Sequence, residues 1–320
     1  MQLKRPALGI GLAFLAALLF GLNASTSKVI MQSGVTPEQI VIFRSLATAV
    51  IAGLFVLARN PGAFKVKRGE WKFLIAFGII GVALMQWAYS NAVNNLPVGI
   101  ALLIEYTAII MVPLASMWLF KAKVQPRLWV GVALVLGGLA VVSQIWQSNL
   151  NPIGVLFAFA AAVFLSVYFI MGERSHLGRD PMSTLFYTML IATVFWLFAS
   201  PWWTFDTNRL TTALDLSGNL TGIEAPAWLL LIWLGVMGSF APMAFSYVAL
   251  GHLSATGVGI VSTAETIFAF LFGYLWLGEK IDGLQTVGGL LVIAGIVIAQ
   301  TSRVATRDLE PRQEQPAWQP

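Results

Sequence analysis

The sequence predicts an all-α integral membrane protein whose ten transmembrane helices form two inverted five-helix repeats. Composition, the spacing of the apolar segments and an internal repeat lead to this fold class. Apolar residues make up 58% of the 320 residues and charged residues only 10%, whereas a soluble domain carries roughly a quarter charged residues. The mean hydropathy is +0.80. The lipid bilayer is therefore expected to be the solvent for most of this chain.

Ten apolar segments are each about long enough to cross a bilayer. They cover residues 8–30, 38–58, 71–93, 97–120, 127–146, 152–172, 182–201, 228–250, 254–277 and 283–301. The first is interpreted as a retained span rather than a cleaved secretory signal, because its apolar run continues to Ile30. The longest connection, residues 202–227, is polar. Residues 302–320 are polar and contain three prolines, which predicts a disordered cytoplasmic tail.

The basic residues predict the orientation in the membrane. With the N-terminus inside, all 19 Lys and Arg residues fall on the inner side except Lys28, Arg44, Arg209 and Lys280. The positive-inside rule then places both termini in the cytoplasm. The same dispersal of charge argues against a nucleic-acid partner despite the net charge of +5. Cysteine is absent, which excludes thiol catalysis and Cys-ligated metals.

An internal repeat divides the chain in two. At an offset of 157, residues 71–143 align with 228–300 without a gap, and a weaker match at offset 144 aligns 15–20 with 159–164. The most informative matches are Trp71 with Trp228, Gly78 with Gly235, Gly81 with Gly238, Gly131 with Gly288 and Gly138 with Gly295. Residues 1–147 and 148–301 are therefore predicted to be two copies of a five-span unit. Because five is odd, the copies cross the membrane in opposite directions, a common architecture of secondary transporters.

Four short segments carry a family resemblance. They are residues 17–23 (ALLFGLN), 43–49 (FRSLATA), 103–107 (LIEYT) and 275–279 (LWLGE). With them the chain resembles the drug/metabolite transporter superfamily, specifically its EamA-type members, over about residues 8–301. The first copy departs from the family's Gly-Glu ending, having residues 121–123 (KAK) there. The resemblance implies an exporter of small metabolites such as amino acids, or of drugs, in the inner or plasma membrane, with a central cavity between the two halves.

Few ionisable residues lie deep in the spans, where each is costly and commonly functional. Glu105 lies in the fourth span and Glu265 in the ninth. A carboxyl group in a medium of low dielectric constant binds a proton more readily, so one or both are predicted to bind protons or a cationic group of the substrate. The alternative is a structural pair with Arg44 or Lys28. Arg44 is a candidate to neutralise Glu105 or a substrate carboxylate, whereas Lys28 is expected to reach the interface.

Uncharged polar residues complete the candidate set for substrate binding or proton coupling. They are Asn23, Gln86, Tyr89, Tyr168 and Tyr247. Facing inward together, these side chains would line a polar cavity; the alternative is hydrogen bonding between helices. Pro113 and Pro242 are expected to loosen the backbone hydrogen bonding beside the cavity.

No catalytic residues, metal site or cofactor are predicted. The two histidines, His176 and His252, lack metal-binding spacing, and the chain has no phosphate-binding loop. The resulting prediction is a secondary active transporter, an exporter working by alternating access, whose partners are a small-molecule substrate and the lipid bilayer. Proton coupling and a homodimer are left open. The alternative is a membrane-embedded protein that does not transport, such as an enzyme or a receptor-like protein.

Overall fold

The computed structural model describes residues 5–96, 98–120, 124–147, 150–175, 179–200, 202–276, 278 and 282–307. Ten helical spans follow one another along this part of the chain. They are α1 (Pro6–Gln32), α2 (Pro37–Arg59), α3 (Glu70–Asn95), α4a (Val98–Glu105) with α4b (Ala108–Phe120), α5 (Pro126–Ser143), α6 (Pro152–Ser175), α7 (Pro181–Ala199), α8 (Ala227–His252), α9a (Ala255–Ser262) with α9b (Ala264–Leu275), and α10 (Gly283–Arg307).

The length and composition of these helices suit a bilayer. Among the residues described, nine spans are long and apolar enough to cross a membrane. The last has a shorter apolar segment, Gly283–Ala299, inside a helix of 25 residues. At about 1.5 Å per residue that helix exceeds the roughly 30 Å of a hydrocarbon core. The prediction of an all-α membrane protein with ten helices is confirmed.

The connection between α7 and α8, expected to be a polar loop, contains a small antiparallel hairpin. Its strands are β1 (Ala213–Asp215) and β2 (Glu224–Pro226). The indole N–H of Trp276 donates to the carbonyl of Leu216 at 2.8 Å, and the backbone N–H of Asn219 donates to the carbonyl of Trp276 at 2.8 Å. The hairpin is thereby fastened to the end of α9b.

The C-terminal tail also differs from the expectation in part. Helix α10 continues to Arg307, so residues 302–307, expected to be disordered, are helical. Residues 308–320 lie outside the described residues, as do several that the sequence analysis used. These are Lys4, Lys121, Lys123, His176, Glu279 and Lys280.

The two ends of the bundle can be told apart by their contacts. At the start of α7, Arg179 pairs with Glu70 at the start of α3 (Nη1 to Oε2, 2.7 Å) and donates to the Ala63 carbonyl after α2 (3.0 Å). The backbone N–H of Arg5 donates to Nδ1 of His252 at the end of α8 (3.4 Å). We call this the basic end. The opposite end carries β1 and β2, and we call it the hairpin end.

Each repeat packs mainly against the other. Helix α1 lies against α8 and α9, while α6 lies against α3 and α4. Helix α2 pairs with its repeat equivalent α7, and α5 pairs with its repeat equivalent α10. The two five-helix units therefore exchange their first helices, and the space enclosed between them is shared by both.

The glycines of α5 and α10 show how the repeats are related. A Cβ on Gly131 would lie 2.8 Å from the Gly295 carbonyl oxygen, and one on Gly138 would lie 2.7 Å from the Gly288 carbonyl oxygen. The repeat offset of 157 maps Gly131 onto Gly288 and Gly295 onto Gly138, so the two contacts are equivalent under the repeat symmetry. The higher number on α5 meets the lower number on α10, so the helices are antiparallel. A pseudo-two-fold axis across an antiparallel pair inverts the two repeats, as predicted.

Two kinds of irregularity recur at equivalent positions in both repeats. Helix α3 is π-helical over Phe77–Leu84, and α8 is π-helical over Val236–Phe240. The fourth span is interrupted at Tyr106 and Thr107, and the ninth at Thr263. π-Bulges and discontinuous membrane helices are frequent at functional sites. All four irregularities lie near the middle of their spans, where the candidate residues cluster.

Candidate functional site

A cavity lies at the middle of the bundle, between the two repeats. Its volume is about 60 Å³, enough to hold a few water molecules in the conformation described. Its lining comes from α1, α2, α3, α4, α6, α8 and α9. The residues are Phe20, Asn23, Arg44, Met85, Gln86, Tyr89, Glu105, Tyr106, Leu165, Tyr168, Phe169, Met243, Ser246, Ser262 and Glu265.

The structure brings together seven of the eight candidate residues that the sequence singled out. Asn23, Arg44, Gln86, Tyr89, Glu105, Tyr168 and Glu265 all line the cavity. Tyr247 does not: its ring stacks on Phe77, with centroids 5.8 Å apart, and is fully buried behind the lining. Aromatic packing therefore holds this tyrosine away from the central space.

The two repeats line the cavity with equivalent positions but different side chains. The aligned pairs are Gln86 and Met243, Tyr89 and Ser246, and Glu105 and Ser262. In each pair the first repeat supplies the larger polar or charged group. The backbones of the two repeats are related by pseudo-symmetry, but the polar side chains of the cavity come mostly from the first repeat. Glu265 is the acidic residue that the second repeat contributes.

Arg44 is held at the cavity by the irregular part of α8. Its Nη2 donates to the Gly238 carbonyl at 3.3 Å. Pro242 has no N–H, so the carbonyl four residues earlier, that of Gly238, lacks its usual α-helical donor. Gly238 is also needed for space, because a Cβ there would collide with Oδ1 of Asn23. Pro242 thus loosens the backbone by freeing the Gly238 carbonyl, which accepts from Arg44 instead. Pro113, the other proline considered, lies inside α4b.

Two buried polar atoms at the cavity have no hydrogen-bond partner among the described residues. They are Nε of Arg44 and Oε1 of Gln86. The residues are only 4% and 2% exposed, and the amide nitrogen of Gln86 has only a weak contact with Sδ of Met189 (3.8 Å). A buried polar group left unpaired costs about 1–3 kcal/mol. One donor and one acceptor at this cavity are therefore available to a ligand.

The two glutamates occupy opposite ends of half-helices. Glu105 is the last residue of α4a, and Glu265 is the second residue of α9b. The positive end of a helix dipole favours a carboxylate in the first turn, so the two positions are not equivalent. Oε2 of Glu265 accepts a hydrogen bond from the Tyr106 hydroxyl at 2.6 Å.

The structural pairing considered for the glutamates is not observed. Among the described residues, neither Glu105 nor Glu265 forms an ion pair with Arg44, whereas Arg179 pairs with Glu70. Arg44 interacts with Glu265 electrostatically at longer range. The neutralisation of Glu105 or of a substrate carboxylate by Arg44 stays a prediction.

Aromatic residues pack together on the basic-end side of the cavity. Phe77, Tyr168 and Tyr247 form a triangle with ring centroids 5.7–6.0 Å apart. The hydroxyl of Tyr168 donates to Oγ of Ser246 (3.3 Å), and that of Tyr247 pairs with Oγ1 of Thr188 (3.0 Å). Each ring is at most 3% exposed. At the repeat equivalents of Phe77 and Tyr247 stand the smaller Leu234 and Ser90, so this aromatic cluster is one-sided.

A second cavity lies toward the hairpin end. It is lined by residues of α1, α4a, α5, α9b and α10, including Ser25, Lys28, Gly99 and Phe270, and has a volume of about 240 Å³. Lys28, expected to extend to the membrane interface, is half-buried at its wall. Ser25 follows Asn23 of the central cavity by two residues, so both cavities share the wall formed by α1.

Comparison with known proteins adds to this geometry. The model of the EamA-like transporter family matches residues 7–144 and again residues 152–301. The chain belongs to the EamA-like transporter family. The two matched segments coincide with the two repeats of the structure, and each contributes half of the central cavity. An EamA-family fold with ten helices also makes this a multi-pass membrane protein.

Relatives of this EamA-family chain cover most of its length. The threonine/homoserine exporter RhtA of Salmonella typhimurium is 21% identical over 298 residues, covering 92% of this chain and 90% of the relative. An uncharacterized transporter, YdfC of Bacillus subtilis, is 25% identical over 286 residues, covering 88% of each. A solved structure described as "Crystal structure of protein" matches with a TM-score of 0.72 at 18% identity, covering 96% of this chain and all of that one. The solved structure supports the fold alone.

One cavity residue that the sequence analysis did not select stands out. Tyr106 follows Glu105 in the LIEYT segment and is 3% exposed. The available signal in the sequence was a tyrosine next to a glutamate within an apolar span. It gave no reason to pair that tyrosine with Glu265, which is 159 residues away.

Proposed function

We propose that this member of the EamA-like family is a secondary active transporter that exports small metabolites by alternating access, with the central cavity as its substrate site. The observation that carries the proposal is the cavity between inverted repeats, where Arg44 and Gln86 present polar atoms without a hydrogen-bond partner. A purely structural polar contact would pair those atoms within the protein. A cavity that binds a solute leaves them for the solute.

The chemistry of the lining favours an amino acid as the substrate. A guanidinium N–H binds a carboxylate, and an amide oxygen accepts from an ammonium or hydroxyl group. Glu105 and Glu265 add negative charge that suits an ammonium group. Threonine and homoserine, the solutes in the name of the relative RhtA, carry all three groups. Drugs with a cationic and an anionic group are the second substrate class to include in a test.

Alternating access follows from the inverted repeats. If the repeats exchange conformations, a barrier at one end of the bundle gives way to a barrier at the other. In the conformation described, the triangle of Phe77, Tyr168 and Tyr247 packs on the basic-end side of the cavity and is proposed as the barrier there. By the positive-inside rule that end faces the cytoplasm, and the second cavity at the hairpin end then belongs to the exit side.

Proton coupling is proposed for Glu265, with Glu105 as the second carboxyl group of the site. Export against a gradient needs a driving ion, and a buried carboxylate within reach of a substrate ammonium group can hold either the substrate or a proton. If the substrate and a proton compete for Glu265, each substrate molecule that leaves the cell is exchanged for a proton that enters. Arg44 offsets one negative charge of the emptied site through its electrostatic interaction with Glu265.

The function is tested by flux in proteoliposomes. Purified protein is reconstituted and supplied with radiolabelled amino acids, cationic drugs and nucleosides, with and without an imposed pH gradient. We expect saturable transport of at least one amino acid, accelerated by the gradient. No transport of any compound under either condition would contradict the proposal.

Arg44→Gln is expected to weaken transport of substrates that carry a carboxylate. Loss of a charge-assisted hydrogen bond costs about 1.5–3 kcal/mol, so KM should rise by about 10- to 150-fold. The amino acid amide, which lacks the carboxylate, should be affected much less. Kinetics of the acid and the amide in the same proteoliposomes give the comparison. Arg127→Gln, an exposed arginine at the start of α5, is the control, and equal losses for acid and amide would refute the assignment.

A further inference from the structure

The interruptions of the fourth and ninth spans face each other across the cavity. Helix α4a ends at Glu105 and α4b begins at Ala108; α9a ends at Ser262 and α9b begins at Ala264. In both, a threonine hydroxyl binds a carbonyl of the preceding half-helix: Thr107 that of Ile104, and Thr263 that of Ile260, each at 2.6 Å. The backbone N–H of each threonine donates to the same carbonyl, so both interruptions close in the same tight turn.

A single side-chain hydrogen bond joins the two interruptions. The hydroxyl of Tyr106, inside the first, donates to Oε2 of Glu265, in the first turn after the second, at 2.6 Å. Tyr106 is 3% exposed and Glu265 is 9% exposed. A short hydrogen bond to a carboxylate, shielded from water, belongs to the strong class. It therefore links the half-helices of one repeat to those of the other.

This link has no counterpart by the repeat symmetry. The positions equivalent to Tyr106 and Glu265 are Thr263 and Ala108. The hydroxyl of Thr263 already donates to a carbonyl of its own span, and Ala108 has no polar side-chain atom. If the repeats exchange conformations during transport, the hydrogen bond is not replaced by an equivalent one. It therefore biases the protein toward one of its two facing states.

We propose that Tyr106 is a positioning residue that holds the Glu265 carboxylate. The strength of its hydrogen bond, which joins the two helix interruptions, then depends on whether Glu265 is protonated. This rests on the proposed function, in which Glu265 exchanges protons. A hydrogen bond to a carboxylate is roughly twice as strong as one to a neutral acceptor. Proton binding at Glu265 therefore weakens the link, and proton release strengthens it.

Other charged and titratable groups also act on Glu265. Arg44 on α2, Tyr89 on α3 and Glu105 on α4a all interact with it electrostatically. None of these three donates a hydrogen bond to it in the structure; the hydrogen bond comes from Tyr106. Removing the Tyr106 hydroxyl alone should therefore alter the pH response without removing the charge balance of the site.

The test is the pH profile of transport by Tyr106→Phe in proteoliposomes, with internal and external pH kept equal. The ring is retained and only the donor to the carboxylate is lost. Without that donor the carboxylate is less favoured, so the pH of half-maximal transport should rise, by about one unit for a loss of about 1.4 kcal/mol. Tyr274→Phe, on the exposed face of α9b, is the matched control and should leave the profile unchanged.

A double variant distinguishes positioning from a general loss of stability. In the Glu265→Gln background the Tyr106→Phe change should no longer move the profile, because the two residues act as one unit. An unchanged profile in Tyr106→Phe alone, or an equal shift in both backgrounds, would overturn the role of Tyr106 and leave the proposed transport function intact. Loss of all transport in wild-type protein would instead refute the proposed function.

Discussion

An imposed pH gradient is expected to drive no substrate accumulation by the Glu265→Gln variant. Glutamine has nearly the shape of glutamate but cannot release a proton, so substrate movement is no longer tied to proton movement. For a one-to-one exchange, one pH unit supplies about 1.4 kcal/mol, or about a tenfold substrate gradient, to the wild-type protein. Accumulation of labelled substrate in proteoliposomes with a gradient of one unit measures this directly.

Exchange of labelled for unlabelled substrate should survive in the same variant, since exchange moves no net proton. Glu224→Gln, on the exposed strand β2, is the matched control and should accumulate substrate like wild type. If Glu265→Gln still accumulates substrate in response to the gradient, Glu265 does not carry the coupling. The same measurement on Glu105→Gln then shows whether the other carboxyl group does.

Gly138→Val is expected to destabilise the protein strongly. A Cβ at this position would lie 2.7 Å from the Gly288 carbonyl oxygen and 2.8 Å from the backbone nitrogen of Val292. Because backbone atoms cannot rotate away, α5 and α10 would have to separate, and small residues at such interfaces are what allow close approach. Overpacking costs about 1–3 kcal/mol, occasionally more. Thermal unfolding of the purified protein should show a clearly lower midpoint.

The neighbouring glycine supplies the control for this substitution. Gly137 is on the same turn of α5, and a Cβ there would meet no atom within 4 Å, so Gly137→Val should leave the midpoint nearly unchanged. Gly295→Val, on α10, should reproduce the loss, because its contacts with α5 are the repeat equivalents of those of Gly138. Equal stabilities of Gly137→Val and Gly138→Val would argue against this packing of α5 on α10.

Much of the fold could be predicted because the apolar segments define the helices and the matched glycines define the repeat. Gly131 aligns with Gly288 and Gly138 with Gly295 in the sequence, and the structure packs Gly131 against Gly295 and Gly138 against Gly288 across the pseudo-two-fold axis. A glycine is needed at each copy of a close helix contact, so the repeat in sequence predicted a repeat in contacts. The helical part of residues 302–307 was missed because a polar segment can extend a helix beyond the bilayer.

Less of the site could be predicted, because it depends on which helices meet. Seven candidate residues line one cavity since buried polar groups in a membrane bundle collect where water or ligand can reach them. Tyr247 was equally polar in sequence, yet stacking on Phe77 removed it from the cavity. The link from Tyr106 to Glu265 joins residues 159 positions apart. Neither interrupted span has a proline at its interruption, so the sequence did not predict these breaks in the helices.

The most direct test of the central claim asks whether a transported substrate occupies the cavity between the repeats. The chain has no cysteine, so Ser262→Cys introduces one thiol at the cavity wall, and Thr221→Cys introduces one in the exposed hairpin connection as the control. The rate of modification by a membrane-permeant maleimide is measured with and without saturating substrate. The account predicts strong protection at position 262 and none at 221. Equal rates at position 262 with and without a substrate that the protein transports would contradict it.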